Sequence, residues 1–393
     1  MLEFLNPFSK KTKLPAEKIA LLEQESAEQP QTTTLERPTP TKRLPKFRRT
    51  PEKLPRREIT RIDFDIIKLL HDFKFLSSIQ IWKLVAADRK AVYKHLQTLY
   101  HQQLINRFHF PTMFGAGEFY YYLDNTQALD LLTSEAGHQK ADFHYEEVRR
   151  NKQKGYGDML FDGDENHHQE GKLLFLRHST MIARFHVGLS LACRASNGRV
   201  ELKTWKEGTE LYNYVHAPAY SFTKHTQEGA VKIHYEEHER KQERIPVRPD
   251  AFFTLTFPKD PEKKEASFIY EAERSRNDSK TLNKKLRGHF HAFARQNLHK
   301  QDPYNVTSIR AVLVETTSYD WAEHIYKEAH NKVVSPNKSK LFWFTCLEKL
   351  TKPEKIEKGT ATTKRYPYLE DPKKFFAKLW LPVGQEQTYS LLD

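Results

Sequence analysis

"IPVRPDAFFTLTFPKDPEKKEASFIYEAERSRNDSKTLNKKLRGHF" spans Ile245 to Phe290. It holds two apolar runs, DAFFTLTF and SFIYEAE, bounded by turn residues, and both read as strands. A lysine-dense stretch of helical character follows. Asp250 opens the first strand, and Glu271 and Glu273 close the second. In an antiparallel hairpin those two ends are neighbours. Strand side chains alternate, so Glu271 and Glu273 share a face. Three carboxylates are therefore expected to converge at one end of a sheet. Close carboxylates repel unless a cation sits among them. Mg²⁺ or Mn²⁺ suits such a site, since a hard cation takes carboxylate oxygens, waters and a phosphate. The alternative is the solvated, salt-bridged end of an ordinary hairpin, with Glu273 against Arg274 and Arg276.

Outward from this stretch, the pattern is that of a mixed sheet. A helix is expected from Arg177 and a strand at Val200–Trp205. A helix follows over 280–296, then a strand at Ile309–Thr317, a helix at Trp321–Ala329 and a strand at Leu341–Thr345. This α-β-β-β-α-β order with an added α-β predicts a mixed sheet flanked by helices. Residues 206–245 are ambiguous between strand and loop.

The region before it reads differently. Ile62, Ile66, Leu69, Leu70 and Phe73 recur at helical spacing. A short helix with Ser77 or Ser78 as N-cap follows, then a third from Asp88 that buries Val92, Leu96 and Leu99. The run LINRFHFPTMFGAGEFYYYL reads as a hairpin turning at Gly115-Ala116-Gly117. Three helices and a hairpin are the order of a winged helix-turn-helix. Such a fold presents its third helix to the major groove. Arg89, Lys90 and Lys94 lie outward on that helix, with Arg107 and His109 on the hairpin. These five residues are the DNA-contact candidates. The same order also serves protein-binding modules and transcriptional regulators.

Composition agrees with a DNA partner. The chain has 393 residues, 29% of them charged, with a formal net charge of +13 and a pI near 9.3. Such a balance favours polyanions. Residues 1–57 carry 13 Lys/Arg against 7 Asp/Glu and eight of the 20 prolines, which predicts a disordered basic arm. The two cysteines exclude a disulfide framework and point to a cytoplasmic setting. No run of about 18 apolar residues occurs, so no membrane partner is expected. The N-terminus lacks the basic-then-apolar order of a signal peptide. No phosphate-binding glycine loop is present.

Pro249-Asp250, Glu271-x-Glu273 and the αβββαβ order resemble the PD-(D/E)xK nuclease superfamily. The fuller resemblance is to the replication-relaxation proteins of plasmids and conjugative elements. It rests on RPDAFF, FIYEAERS, NKKLRGHF and the helix near His178, over residues 59–345. The resemblance implies an α+β and α/β multidomain chain, with a winged helix followed by a PD-(D/E)xK-like domain. It implies a basic arm at 1–57, a winged helix at 58–137, a linker at 138–176, a nuclease-like domain at 177–350 and an extension at 351–393. It also implies a DNA-binding accessory of replication or mobilisation, with replication or mobilisation proteins as further partners. A metal-dependent endonuclease is the alternative. By the same resemblance Asp250 and Glu271 are metal ligands for Mg²⁺ or Mn²⁺. The motif's lysine position is Glu273, a departure from the pattern. Lys285 is the lysine that the next helix would supply for water or phosphate. Asp250, Glu271, Glu273 and Lys285 are thus the expected catalytic set.

Overall fold

The computed structural model describes residues 49–50, 58–110, 118–134, 139–140, 143–156, 167–227, 230–274, 279–329, 340–346 and 367–393. Residues 49–393 form one compact unit. The expected arm therefore lies outside the described residues, apart from Arg49 and Thr50. Those two are held in place. Arg49 donates to the Ile105 carbonyl at 2.9 Å and pairs with Asp124 at 3.2 Å. The Thr50 amide donates to His101 Nδ1 at 3.2 Å.

Three helices open the unit: α1 at Arg61–Phe73, α2 at Ser78–Val85 and α3 at Arg89–His101. Local chemistry starts each one. The Thr60 amide and hydroxyl donate to Asp63, Ser77 and Gln80 cap each other, and Asp88 accepts from the Ala91 amide. Their apolar stripes meet in a core of Ile66, Ile67, Leu70, Ile81, Val92 and Leu96. Strands β1 (Leu76–Ser77), β2 (Asn106–His109) and β3 (Phe119–Tyr122) form a small antiparallel sheet in the order β1-β3-β2. The tip expected at Gly115-Ala116-Gly117 lies outside the described residues. Helix α4 (Thr126–Thr133) follows.

The described residues of the expected linker, 138–176, include helical segments. They contain helix α5 (Tyr145–Lys154), and the long helix α6 (His167–Ala195) begins ten residues before Arg177. Helix α5 gave no periodic signal because it buries only Val148.

The central sheet has six strands. They are β4 (Glu201–Glu207), β7 (Ala251–Thr256), β8 (Glu265–Glu273), β9 (Ala311–Thr316), β10 (Phe342–Cys346) and β11 (Leu381–Pro382). The order is β11-β10-β9-β8-β7-β4, parallel at β8-β9 and β9-β10 and antiparallel elsewhere. Both faces are covered, which is why these strands read as continuous apolar runs. Phe185 of α6 packs with Phe253, Phe268 and Tyr270 on one face. On the other, α7 (Ser279–Phe290) and α8 (Tyr319–Ala329) pack Leu282, Leu286 and Ile325 against Phe252, Ile269 and Val312.

Two regions depart from the sequence reading. The ambiguous stretch forms a separate two-stranded ribbon, β5 (Asn213–Gln227) and β6 (Ala230–Val247). The described part of the C-terminal extension, residues 367–393, is core rather than appendage. After α9 (Pro367–Glu370), β11 pairs with β10, and Phe375, Trp380 and Leu391 are buried. Gly188 on α6 makes room for it, because a Cβ there would lie 2.5 Å from the Phe375 ring.

A candidate acidic centre at the end of the central sheet

The register of β7 with β8 pairs Ala251 with Tyr270, and continuing it places Asp250 opposite Glu271. Asp250 is fixed from two sides. Its Oδ2 accepts from the Ala272 amide at 2.8 Å, and its Oδ1 lies 2.9 Å from His178 Nε2 on α6. Burial opposes charge on His178, but the hydrogen bond and charge of Asp250 outweigh it and raise its pKa.

Glu271 and Glu273 leave β8 on the same face, toward α7. Lys285 comes down from that helix between them, with Nζ 2.7 Å from Glu271 Oε2 and 3.0 Å from Glu273 Oε2. One turn further on, His289 puts Nε2 at 2.8 Å from Glu271 Oε1. Glu271 and His289 are each 2% exposed, whereas the Lys285 side chain is 33% exposed. The contacts to Glu271 are close in distance but are not aligned as hydrogen bonds. Burial pushes the Glu271 carboxyl up, yet Lys285 and His289 outweigh it and hold it down to about 2. Burial likewise disfavours the Lys285 charge, and Glu271 and Glu273 more than restore it, raising its pKa.

Asp250, Glu271, Glu273 and Lys285 are thus brought together. Sequence reading missed His289. Its spacing of four from Lys285, one turn of the same helix, is the signal that could have found it.

As arranged, these residues do not fit a divalent ion. Asp250 is committed to His178 and an amide, and Glu271 and Glu273 share the Lys285 ammonium. Among the described residues no group of three or more His, Cys, Asp or Glu is placed to hold a metal. The ammonium supplies the positive charge that three clustered carboxylates require.

A cleft of about 1040 Å³ opens beside the centre, lined by His71, Lys74, Glu147, His178, Glu207 and Asp250 among others. Lys74 Nζ lies 3.2 Å from Glu147 and 3.3 Å from Glu207. Burial raises the Glu207 carboxyl to about 7 despite Lys74, with Glu147 and Asp250 adding to the rise. His186 is stacked between Phe73 and Trp205, and burial pushes its pKa down to about 3, so it is neutral.

The DNA-contact candidates separate. Arg89, Lys90 and Lys94 are exposed on α3. Among the described residues none of the three enters an ion pair, though Arg89 donates to the Tyr93 hydroxyl. Arg107 is 8% exposed, with its guanidinium 3.9 Å from the Tyr100 ring centre and 4.4 Å from that of Phe119. His109 is partly buried against Phe119. Arg107 is thus largely enclosed by aromatic rings, unlike the three cations of α3.

A family model described as replication-relaxation matches residues 67–308, from within α1 to just before β9. The chain belongs to the replication-relaxation family. The matched span carries every candidate residue named above, so the acidic centre and the α3 surface both lie within the replication-relaxation match. No curated protein and no solved structure is similar enough to count as a match. Among the described residues no helix is long and apolar enough to cross a membrane.

Proposed function

We propose that this replication-relaxation protein binds duplex DNA through α3 and acts as an accessory of plasmid or mobile-element replication or mobilisation. The helices α1–α3 with the β2–β3 hairpin form the winged-helix reader, and the PD-(D/E)xK-like sheet organises DNA or partner proteins without cutting. The observation that carries the reading is the row of exposed cations Arg89, Lys90 and Lys94 on one helix. Such a row neutralises phosphates and releases counterions. The test replaces all three with Ala and measures duplex affinity against salt. Binding weakens, and the slope of log K against log salt falls by about one per lost phosphate contact. A folded triple variant with unchanged affinity and slope removes the proposal.

Metal-dependent cleavage is the second reading, favoured by the convergence of Asp250, Glu271, Glu273 and Lys285 at one sheet end. It requires Lys285 to release Glu271, and its exposure leaves a way out for the side chain. Supercoiled plasmid incubated with Mg²⁺ or Mn²⁺ tests it. Nicking that disappears in Asp250→Ala supports cleavage, and intact plasmid in both supports the accessory role.

A further inference from the structure

The ribbon of β5 and β6 has a well-packed base. Val215, Ala217, Ile245 and Val247 are buried against α7. The approach is close: a Cβ on Gly288 would lie 3.0 Å from Ile245 Cγ2 and 3.3 Å from the Pro246 carbonyl. Alternation then turns Tyr212, Tyr214 and His216 to solvent, together with Arg244 and Arg248. Tyr212 is 49% and Tyr214 45% exposed, unusual for side chains of that size. Each carries an arginine against its ring, Arg244 at 3.7 Å from the Tyr214 centre and Arg248 at 5.6 Å from that of Tyr212. Neither 212–216 nor 244–248 contains a carboxylate. Glu243, the nearest one in sequence, is paired with Lys284.

Another aromatic–cation pair lines the same cleft. Phe175 on α6 is 42% exposed, with Lys154 Nζ 4.6 Å from its ring centre. Phe175 and Tyr212 both line the cleft that holds His178 and Asp250. Deeper groups there are already paired, Glu207 with Lys74 and Asp250 with His178. Exposed Glu146 and Glu210 also reach the cleft, and Glu146 is paired with Arg149.

We propose that Tyr212, Tyr214, Arg244 and Arg248 form a platform for an unpaired DNA strand, which crosses the cleft mouth toward Phe175 and Lys154. The inference rests on the DNA-binding reading above and adds strandedness to it. In a duplex the base faces are covered by their neighbours, so exposed aromatic rings have nothing to stack on. In a single strand every base offers a free face, and adjacent arginines reach the phosphates.

The test uses the full chain and fluorescence anisotropy, with a labelled oligothymidylate and a hairpin duplex in parallel. The double variant Tyr212→Ala, Tyr214→Ala weakens single-strand binding by roughly tenfold or more. Its duplex affinity is unchanged. The Tyr→Phe pair retains single-strand binding, and the Tyr→Leu pair, apolar but not aromatic, loses it. Wild-type duplex binding with single-strand binding indifferent to the Ala pair overturns the platform and leaves the duplex reading intact. Full binding by the Tyr→Leu pair overturns stacking as its basis. Failure of the wild type to bind either DNA removes both proposals.

Discussion

Two lysines in this molecule each lie between two glutamates, with opposite results. Lys285 sits 2.7 and 3.0 Å from Glu271 and Glu273, and His289 adds a second contact to Glu271. Lys74 sits 3.2 and 3.3 Å from Glu147 and Glu207, with Asp250 adding repulsion at Glu207. Burial pushes both buried carboxyls up. At Glu271 the attraction wins and the pKa falls to about 2, while at Glu207 burial wins and it rises to about 7. A lysine between two glutamates thus leaves Glu271 ionised at neutral pH and Glu207 partly protonated. His289 adds attraction at Glu271, whereas Glu147 and Asp250 add repulsion at Glu207.

The strongest way to break the contrast is Lys285→Met. It strips the ammonium from two carboxylates and leaves Glu271 buried beside Glu273. Removing one partner of a buried pair is strongly destabilising, and solvent access at Lys285 moderates the effect. The expected loss is about 2–4 kcal/mol at pH 7, read from urea unfolding. The wild-type acid limb follows from the direction of the Glu271 shift. A carboxyl held below its ordinary 4.5 stabilises the fold above that pH, and the contribution is lost as pH falls toward 2. In the variant the acid limb begins at higher pH. A loss below about 0.5 kcal/mol would show a surface-like, screened pair.

Glu207→Gln probes the other triad, with a smaller effect. Because its folded pKa is raised from 4.5 to about 7, folded protein keeps a proton there that unfolded chain releases. Stability from this group therefore falls as pH rises between those values. Glutamine removes the titration. The decline in unfolding free energy from pH 5 to pH 8 should shrink by about 1–3 kcal/mol relative to wild type. An identical pH profile would mean that Glu207 is solvated and ordinary.

The contrast also marks what could be read from sequence. The Glu271–Glu273 pair was legible because alternation along a strand is local, and Asp250 followed from the hairpin. Lys285 came from the family resemblance, and the structure places it on the helix that follows. The Lys74 triad draws on three elements, the end of α1, the start of α5 and the end of β4, and no local period links them. The buried Arg184–Glu315 pair, to which Tyr270 donates at 2.8 Å, was equally invisible. It joins α6 to β9 across the opposite face of the sheet. The C-terminal strand was missed because its partner, β10, is set by tertiary pairing and not by its own two residues.

The smallest effect separates charge from backbone at Lys74. This residue has φ 63° and ψ −57°, and the Phe75 amide donates to the Phe73 carbonyl at 2.7 Å. A three-residue turn with positive φ is uncommon for a residue bearing a Cβ. Lys74→Ala and Lys74→Gly both delete the ammonium, so the lost ion pairs cancel when the two are compared. What remains is the Cβ, which glycine lacks. Glycine also frees the unfolded chain, which opposes part of the gain. The glycine variant should still unfold at higher urea than the alanine variant, by about 0.5–1 kcal/mol. Equal midpoints would show that the turn relaxes once the ammonium is gone. The contacts to Glu147 and Glu207 would then hold the backbone in that conformation, and the chain path would not be what presents Lys74 to the cleft.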